Sequence, residues 1–135
     1  MKIMLDDFAL MPERGHATDA GLDLKTPISF WLHPGEHKII DTGVHVQIPE
    51  GYVGLITSKS GLMGRGVTSR GTIDAGFTGS SKAVLYNHSN EGIKFESGQK
   101  ITQLVLLPVL IPSIEVVDCL EQTDRGENGF GSTGR

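Results

Sequence analysis

Apolar residues in this chain alternate with polar ones in short runs, and a glycine or proline stops nearly every run. That pattern constrains the fold more than any other feature. Residues 28–32 (ISFWL) alternate around Ser29 and stop at His33-Pro34-Gly35. Residues 44–48 (VHVQI) alternate and stop at Pro49-Glu50-Gly51, and runs at 53–58, 81–87 and 92–95 follow. Successive side chains of a strand point to opposite faces, so a period of two predicts half-buried strands. Residues 101–117 (ITQLVLLPVLIPSIEVV) are nearly continuous in apolar side chains, as strands buried on both faces are. Pro108 and Pro112 exclude one long helix there, and no segment keeps a capped 3.6-residue period. The expected class is all-β: a sandwich, jelly roll or barrel.

The 135 residues suffice for one core and one domain. Eighteen glycines and six prolines are dispersed rather than clustered, which predicts frequent turns. A formal charge of −4 argues against a broad basic face for nucleic acid, so no such partner is expected. The single cysteine, Cys119, excludes an intrachain disulfide, and its neighbours Val116, Val117 and Leu120 predict a buried thiol. Asp6 and Asp7 interrupt any signal-peptide core, and no apolar run approaches membrane-span length. The expected location is the cytoplasm (a host's, if the chain is phage-encoded), with no membrane partner.

Several chemical patterns fail on their context. His33, Glu36 and His37 match H-x-x-E-H, but Pro34-Gly35 makes a turn where that zinc motif needs a helix. Gly61 and Gly66 have P-loop spacing, yet Val67 stands where lysine is required. Residues 129–134 spell G-x-G-x-x-G without the strand and helix that a dinucleotide fingerprint requires. Asn87-His88-Ser89 is a glycosylation triplet with no secretory route.

Other glycine-rich stretches suit anions. Residues 57–66 (TSKSGLMGRG) offer hydroxyls, two cations and three glycines after a strand, the makings of a main-chain anion cradle. Residues 71–80 (GTIDAGFTGS) put Asp74 at the edge of a glycine turn with Phe77 behind it; an aspartate there is commonly a turn former. Residues 16–24 (HATDAGLDL) set Asp23 between leucines, a charge entering an apolar strand. With the tail, these stretches would suit a di- or triphosphate with a divalent cation, and Phe77 and Phe130 would offer flat faces to a base or sugar.

In order and spacing these stretches resemble the five motifs of the trimeric dUTP diphosphatases (dUTPases). ATDAGLDL is similar to the first motif, TSKSGLMG to the second, GTIDAGFTG to the third, GQKITQLV to the fourth and RGENGFGSTG to the fifth. The third and fifth are the most specific. The resemblance implies a distorted jelly-roll (β-clip) subunit of a homotrimer that converts dUTP to dUMP and pyrophosphate with Mg²⁺. It implies Asp74 as the general base for water attack on the α-phosphorus. Phe77 would pack under the deoxyribose, and Gly71 and Ile73 fall in the hairpin whose main chain hydrogen-bonds uracil. Lys59, Ser60, Gly61 and Gln103 match phosphate ligands, and Asp23 matches an aspartate that holds hydrated Mg²⁺ through water. Arg125, Gly131, Ser132 and Thr133 match the γ-phosphate clamp, and Phe130 the ring that stacks on uracil. Residues 1–120 would form the β domain and residues 121–135 a flexible arm that closes over the site.

This sequence departs from the family pattern in three places: Lys59 replaces an arginine, Phe77 a tyrosine and Asn128 a glycine. Lysine keeps the charge but loses the bidentate fork. Two other readings share the fold. A deoxycytidine triphosphate deaminase would need a glutamate near the base, and Glu91 and Glu96 lie outside the motifs. A nucleotide-binding regulator would act on a protein partner of unknown identity.

Overall fold

The computed structural model describes residues 1–129. Nine strands and one short helix follow one another: β1 (Lys2–Leu5), β2 (Leu22–Lys25), β3 (Phe30–Leu32), β4 (His37–Gln47), β5 (Tyr52–Thr57), α1 (Ser60–Met63), β6 (Val67–Ile73), β7 (Ser80–Asn87), β8 (Ile93–Phe95) and β9 (Lys100–Pro108). Seven strands form one sheet in the order β1-β4-β7-β6-β5-β9-β2, and β3 pairs with β8 in a small second sheet. The pairings are antiparallel. Although β2 and β4 lie near opposite ends of that order, Leu22 and Leu24 pack in one cluster with Val44 and Val46. The sheet is therefore curled on itself, the distorted jelly roll expected from the sequence.

Alternation places the core. Along β7, Ser81, Ala83, Leu85 and Asn87 are buried while Lys82 and Tyr86 are exposed. One apolar cluster joins Leu32, Leu62, Leu85, Phe95 and Ile101; a second joins Leu24, Val44, Ile56, Ile73 and Leu104. The other face of the sheet is unusually apolar for a surface. It carries Val53, Leu55, Val84 and Val105 partly covered, and Ile39 and Leu107 exposed.

The structure corrects three expectations and adds a strand that the sequence pattern does not announce. The strand at 44–48 is the second half of β4, which begins at His37. Its first half was masked because Gly43, at φ +66°, interrupts the alternation. There the register steps from Asp41↔Lys82 to His45↔Ser80, so four residues along β4 are matched by two along β7. Secondly, β6 (VTSRGTI) is a strand despite its hydroxyls and glycine. Buried Ser69 satisfies its hydroxyl by accepting from Thr102 Oγ1 at 3.1 Å.

Thirdly, the apolar run 101–117 is a strand only as far as Pro108, and residues 109–129 form neither helix nor strand. Two prolines remove ladder donors, and Leu110, Ile111, Ile114 and Val116 are left uncovered among the described residues. Fourthly, Cys119 is exposed for the same reason: its apolar neighbours lie on this unpacked segment.

Gly54 on β5 is buried, and a Cβ there would lie 2.8 Å from Leu104 Cδ1 and 3.3 Å from Ile73 Cβ. Gly54→Ala should therefore lower stability by about 1–3 kcal/mol, the usual cost of overpacking, as measured by urea unfolding at fixed protein concentration.

Candidate active site

The loop after β5 is built by one serine. Ser58 accepts from the Ser69 N–H at 2.8 Å and donates to the Ser69 carbonyl at 3.1 Å, so its hydroxyl closes the open end of the β5–β6 pair. The chain then turns at Lys59 (φ −73°, ψ 133°) into α1, whose first turn has no side-chain cap. Orphan N–H groups at such a turn are natural partners for anion oxygens. Ser60 and Gly61, the predicted phosphate ligands, lie there and are exposed.

Sheet register carries two more predicted residues to this loop. Gln103 of β9 is aligned with Asp23 of β2 on one side and Thr57 of β5 on the other. The Gln103 amide donates to the Ser58 carbonyl at 3.0 Å. Its Oε1 lies where a Cβ on Gly21 would stand, so Gly21 is glycine because Gln103 fills that space.

Asp23 is only 3 % exposed, and a buried carboxylate needs charged partners. One oxygen meets the Lys59 ammonium and the other meets Lys100 at 3.1 Å. Lys100 also reaches Glu13 at 3.0 Å, and Glu13 binds Lys25 at 3.0 Å. Two carboxylates and three ammoniums thus form one network with a cationic excess beside the loop. Hydrogen bonds from Lys100 and then Lys25 hold the Glu13 carboxyl below its ordinary 4.5, and Glu13, then Asp23, raise the Lys100 ammonium above 10.5. Its contribution to stability is present above pH 4.5 and fades as pH falls through the lowered Glu13 value.

The third predicted component lies elsewhere. Asp74 follows β6 directly and is exposed; the turn is closed by its own carbonyl, which accepts from the Phe77 N–H at 3.0 Å. The carboxylate is therefore not consumed in shaping the turn. The Phe77 ring, 45 % exposed, folds over Gly79, where a Cβ would come within 2.5 Å of Cζ. Ile73 points its side chain into the core, which leaves only its main chain to face outward, and Gly71 lies against Ile56. Arg70 is paired with Thr57, and Asp74 stands four residues further along, about 13 Å at strand rise. Asp74 and the Lys59–Gly61 loop sit at opposite ends of the β5–β6 pair.

Arg125 is exposed and donates to the Asn128 carbonyl at 3.1 Å. Phe130, Gly131, Ser132 and Thr133 lie outside the described residues. Glu96 is engaged by Lys94 at 2.7 Å and Ser29 at 2.8 Å beside the small sheet, where Glu91 also lies. Among the described residues no group of three His, Cys, Asp or Glu side chains could hold a metal ion. No helix among them is long and apolar enough to cross a membrane.

The dUTPase family model matches residues 7–134. The chain belongs to the dUTPase family. Curated relatives named deoxyuridine 5'-triphosphate nucleotidohydrolase include that of Clostridium tetani, 39 % identical over all of this chain and 95 % of its own length. Another, from Clostridium acetobutylicum, is 41 % identical over 96 % of this chain and 92 % of its own. Among solved structures, the dUTPase of Staphylococcus bacteriophage 80alpha with dUPNHPP superposes at a TM-score of 0.91 with 34 % identity, over 99 % of this chain and 98 % of that one. A mutant dUTPase of phage phi11 of S. aureus superposes at 0.80 with 32 % identity over 90 % and 98 %; it is described as revealing the coordination of a structural Mg(II) ion.

Within this dUTPase fold, sequence reasoning missed Lys100 and Glu13. Lys100 lies inside the GQKITQLV stretch, but its partner Glu13 is ten residues before Asp23 and joins it through an isolated bridge that no local pattern announces. The Gly21 contact yields a clean test. Gly21→Ala should push Gln103 off the Ser58 carbonyl and raise KM for dUTP about 5–20-fold with a smaller change in kcat, read from steady-state pyrophosphate release.

Proposed function

We propose that this chain hydrolyses dUTP to dUMP and pyrophosphate in sites shared between the subunits of a homotrimer, with Asp74 as general base. The observation that carries this reading is the distance along β5 and β6. One α-phosphate has to meet both a water-activating carboxylate and the Lys59–Gly61 loop, yet in a single chain Thr57, which precedes that loop, is already about 13 Å from Asp74 along the strands, and the loop lies further still. A second copy supplying the hairpin to the first copy's loop removes that gap. The apolar outer face, and the uncovered side chains at Leu110, Ile111 and Ile114, are what such packing would bury.

In this mechanism Asp74 accepts a proton from the water as it attacks the α-phosphorus, and the bond to the pyrophosphate oxygen breaks. Lys59 and the main chain at Ser60 and Gly61 hold the phosphates, and Gln103 is fixed by Ser58 to donate alongside them. Phe77 and the main chain at Gly71 and Ile73 take the deoxyuridine. Arg125 and residues 130–133, on an arm from 121 to 135, close over the γ-phosphate and base.

Mg²⁺ fits this donor set only at one remove. Both Asp23 oxygens face lysines, and Mg²⁺ is commonly held by substrate phosphates and water rather than by a protein cage. When bound it would neutralise charge on the departing pyrophosphate.

Asp74→Asn is nearly isosteric and should lower kcat by about 10²–10⁴-fold while keeping the fold and dUTP binding. Turnover within threefold of the parent would remove Asp74 from the chemistry. Mixing Asp74→Asn chains with chains truncated before Arg125 tests the sharing. Hybrid trimers, counted by native mass spectrometry, should be far more active than either parent; hybrids as inactive as both would place Asp74 and the arm of each site on the same subunit.

A further inference from the structure

The step in register along β4 has a second result: it brings His45 to the base of the hairpin that carries Asp74 and Phe77. His45 is aligned with Ser80, where that hairpin ends, and with Met4 of β1. Its ring is 19 % exposed and spans two elements. Nδ1 lies 2.8 Å from the Thr78 carbonyl, and Nε2 lies 3.3 Å from both Asp6 oxygens. Asp6 is set there by the same bulge, because its N–H donates to the Gly43 carbonyl at 2.9 Å. Phe8 and Ala9 pack on Gly43 so closely that a Cβ would lie 2.8 and 2.9 Å from them.

Counting protons decides what state this arrangement requires. A carbonyl oxygen only accepts, so Nδ1 must carry hydrogen. An ionised carboxylate also only accepts, so Nε2 must carry one too. A neutral imidazole has one N–H and cannot satisfy both; the imidazolium can. We propose that His45, protonated on both nitrogens and paired with Asp6, is a positioning residue that seats the 74–80 hairpin for nucleoside binding, so that affinity for dUTP falls when the ring gives up a proton. The proposal rests on the reading that this hairpin receives the deoxyuridine.

The groups around the ring agree. Hydrogen bonding to Thr78, then to Asp6, raises the His45 value above 6.5, with Asp41 adding attraction and burial opposing it. Asp41 is itself held below 3.8, first by the Ser80 hydroxyl, with Lys82 and His45 adding attraction. Lys2 lines the same shallow groove, with Met4, Gln47 and Thr78. The Ser80–Asp41 tie therefore persists across the neutral range, and the His45 tie is the one lost as pH rises. A raised histidine contributes fully below 6.5 and loses its contribution as pH climbs through the folded-state value. Thr78 adjoins Phe77, whose ring leans on Gly79, so slack at Thr78 passes directly to the surface under the sugar.

The test measures binding of the analogue dUpNHpp with Mg²⁺, not turnover, from about pH 6 to about pH 9 in the parent, His45→Gln and Asp6→Asn proteins. Ratios of variant to parent at each pH cancel the ligand's own titration. The parent should bind about 3–10-fold more weakly at the alkaline end. His45→Gln should be weaker than the parent at low pH and converge on it at high pH. Asp6→Asn should move the fall to lower pH. Nitrogen NMR of the parent's histidine rings should show His45 and the hairpin amides titrating together. A His45→Gln ratio that is constant with pH, or hairpin amides indifferent to His45, would overturn the proposal, because a purely structural side chain behaves that way. Applied to Asp74→Asn, the same binding series separates this idea from the assignment of the base: turnover judges Asp74, and the pH profile judges His45.

Discussion

A buried carboxylate cannot stand alone, and Asp23 is where this molecule meets that constraint. Its two oxygens are divided between Lys59, at the start of the loop after β5, and Lys100, at the start of β9. That one charge therefore fastens β2, β9 and the loop after β5 to each other. Removing either lysine would leave a costly residue of charge inside the sheet, whereas the complete set is tolerated. The arrangement also bears on Lys59 replacing the family's arginine. An ammonium is a compact point charge, and one ammonium per carboxylate oxygen is the division found here. With Lys59 in that role, part of its charge is already committed before any phosphate arrives.

From this anchor the geometry runs outward along β5 and β6. Ser58 seals one end of the pair, and Asp74 caps the other. The two ends have different chemistry: backbone donors and cations at the first, a carboxylate and an aromatic ring at the second. A strand pair is stiff, so the separation is built in and cannot be closed by loop motion within one chain. The curled sheet and its apolar outer face make the same point from packing, since a surface bearing Ile39, Val84, Val105 and Leu107 is poorly suited to water.

Much of this was legible in residues alone, for identifiable reasons. Strands with clean alternation, such as the second half of β4 and β8, declare themselves because their faces differ in polarity. β6 did not, because its buried positions include Ser69, whose suitability for a core depends on Thr102 and Ser58, both distant in sequence. The roles proposed for Ser60, Gly61 and Gln103 came from the resemblance to the dUTPase motifs, and the sheet register brings Gln103 to the loop that carries the other two. What spacing could not show was that Asp74 stands apart from them, since sequence order says nothing of which end of a strand pair a residue occupies. Cys119 and the residues around it misled for a related reason. Apolar composition predicts burial without naming the chain that does the burying.

The stretch after Pro108 has a practical corollary. Beyond Val109, whose N–H still donates to the Gly51 carbonyl at 2.9 Å, it joins no strand ladder among the described residues and presents Leu110, Ile111, Ile114 and Val116 to solvent. Proteases thread segments of that kind most readily. A cut there would leave the curled sheet standing and sever everything from Arg125 onward. In the proposed trimer, dilution that strips a neighbour from this stretch would thus expose the enzyme to inactivation by trimming rather than by unfolding. Its working lifetime would be set by how crowded the chain is with copies of itself.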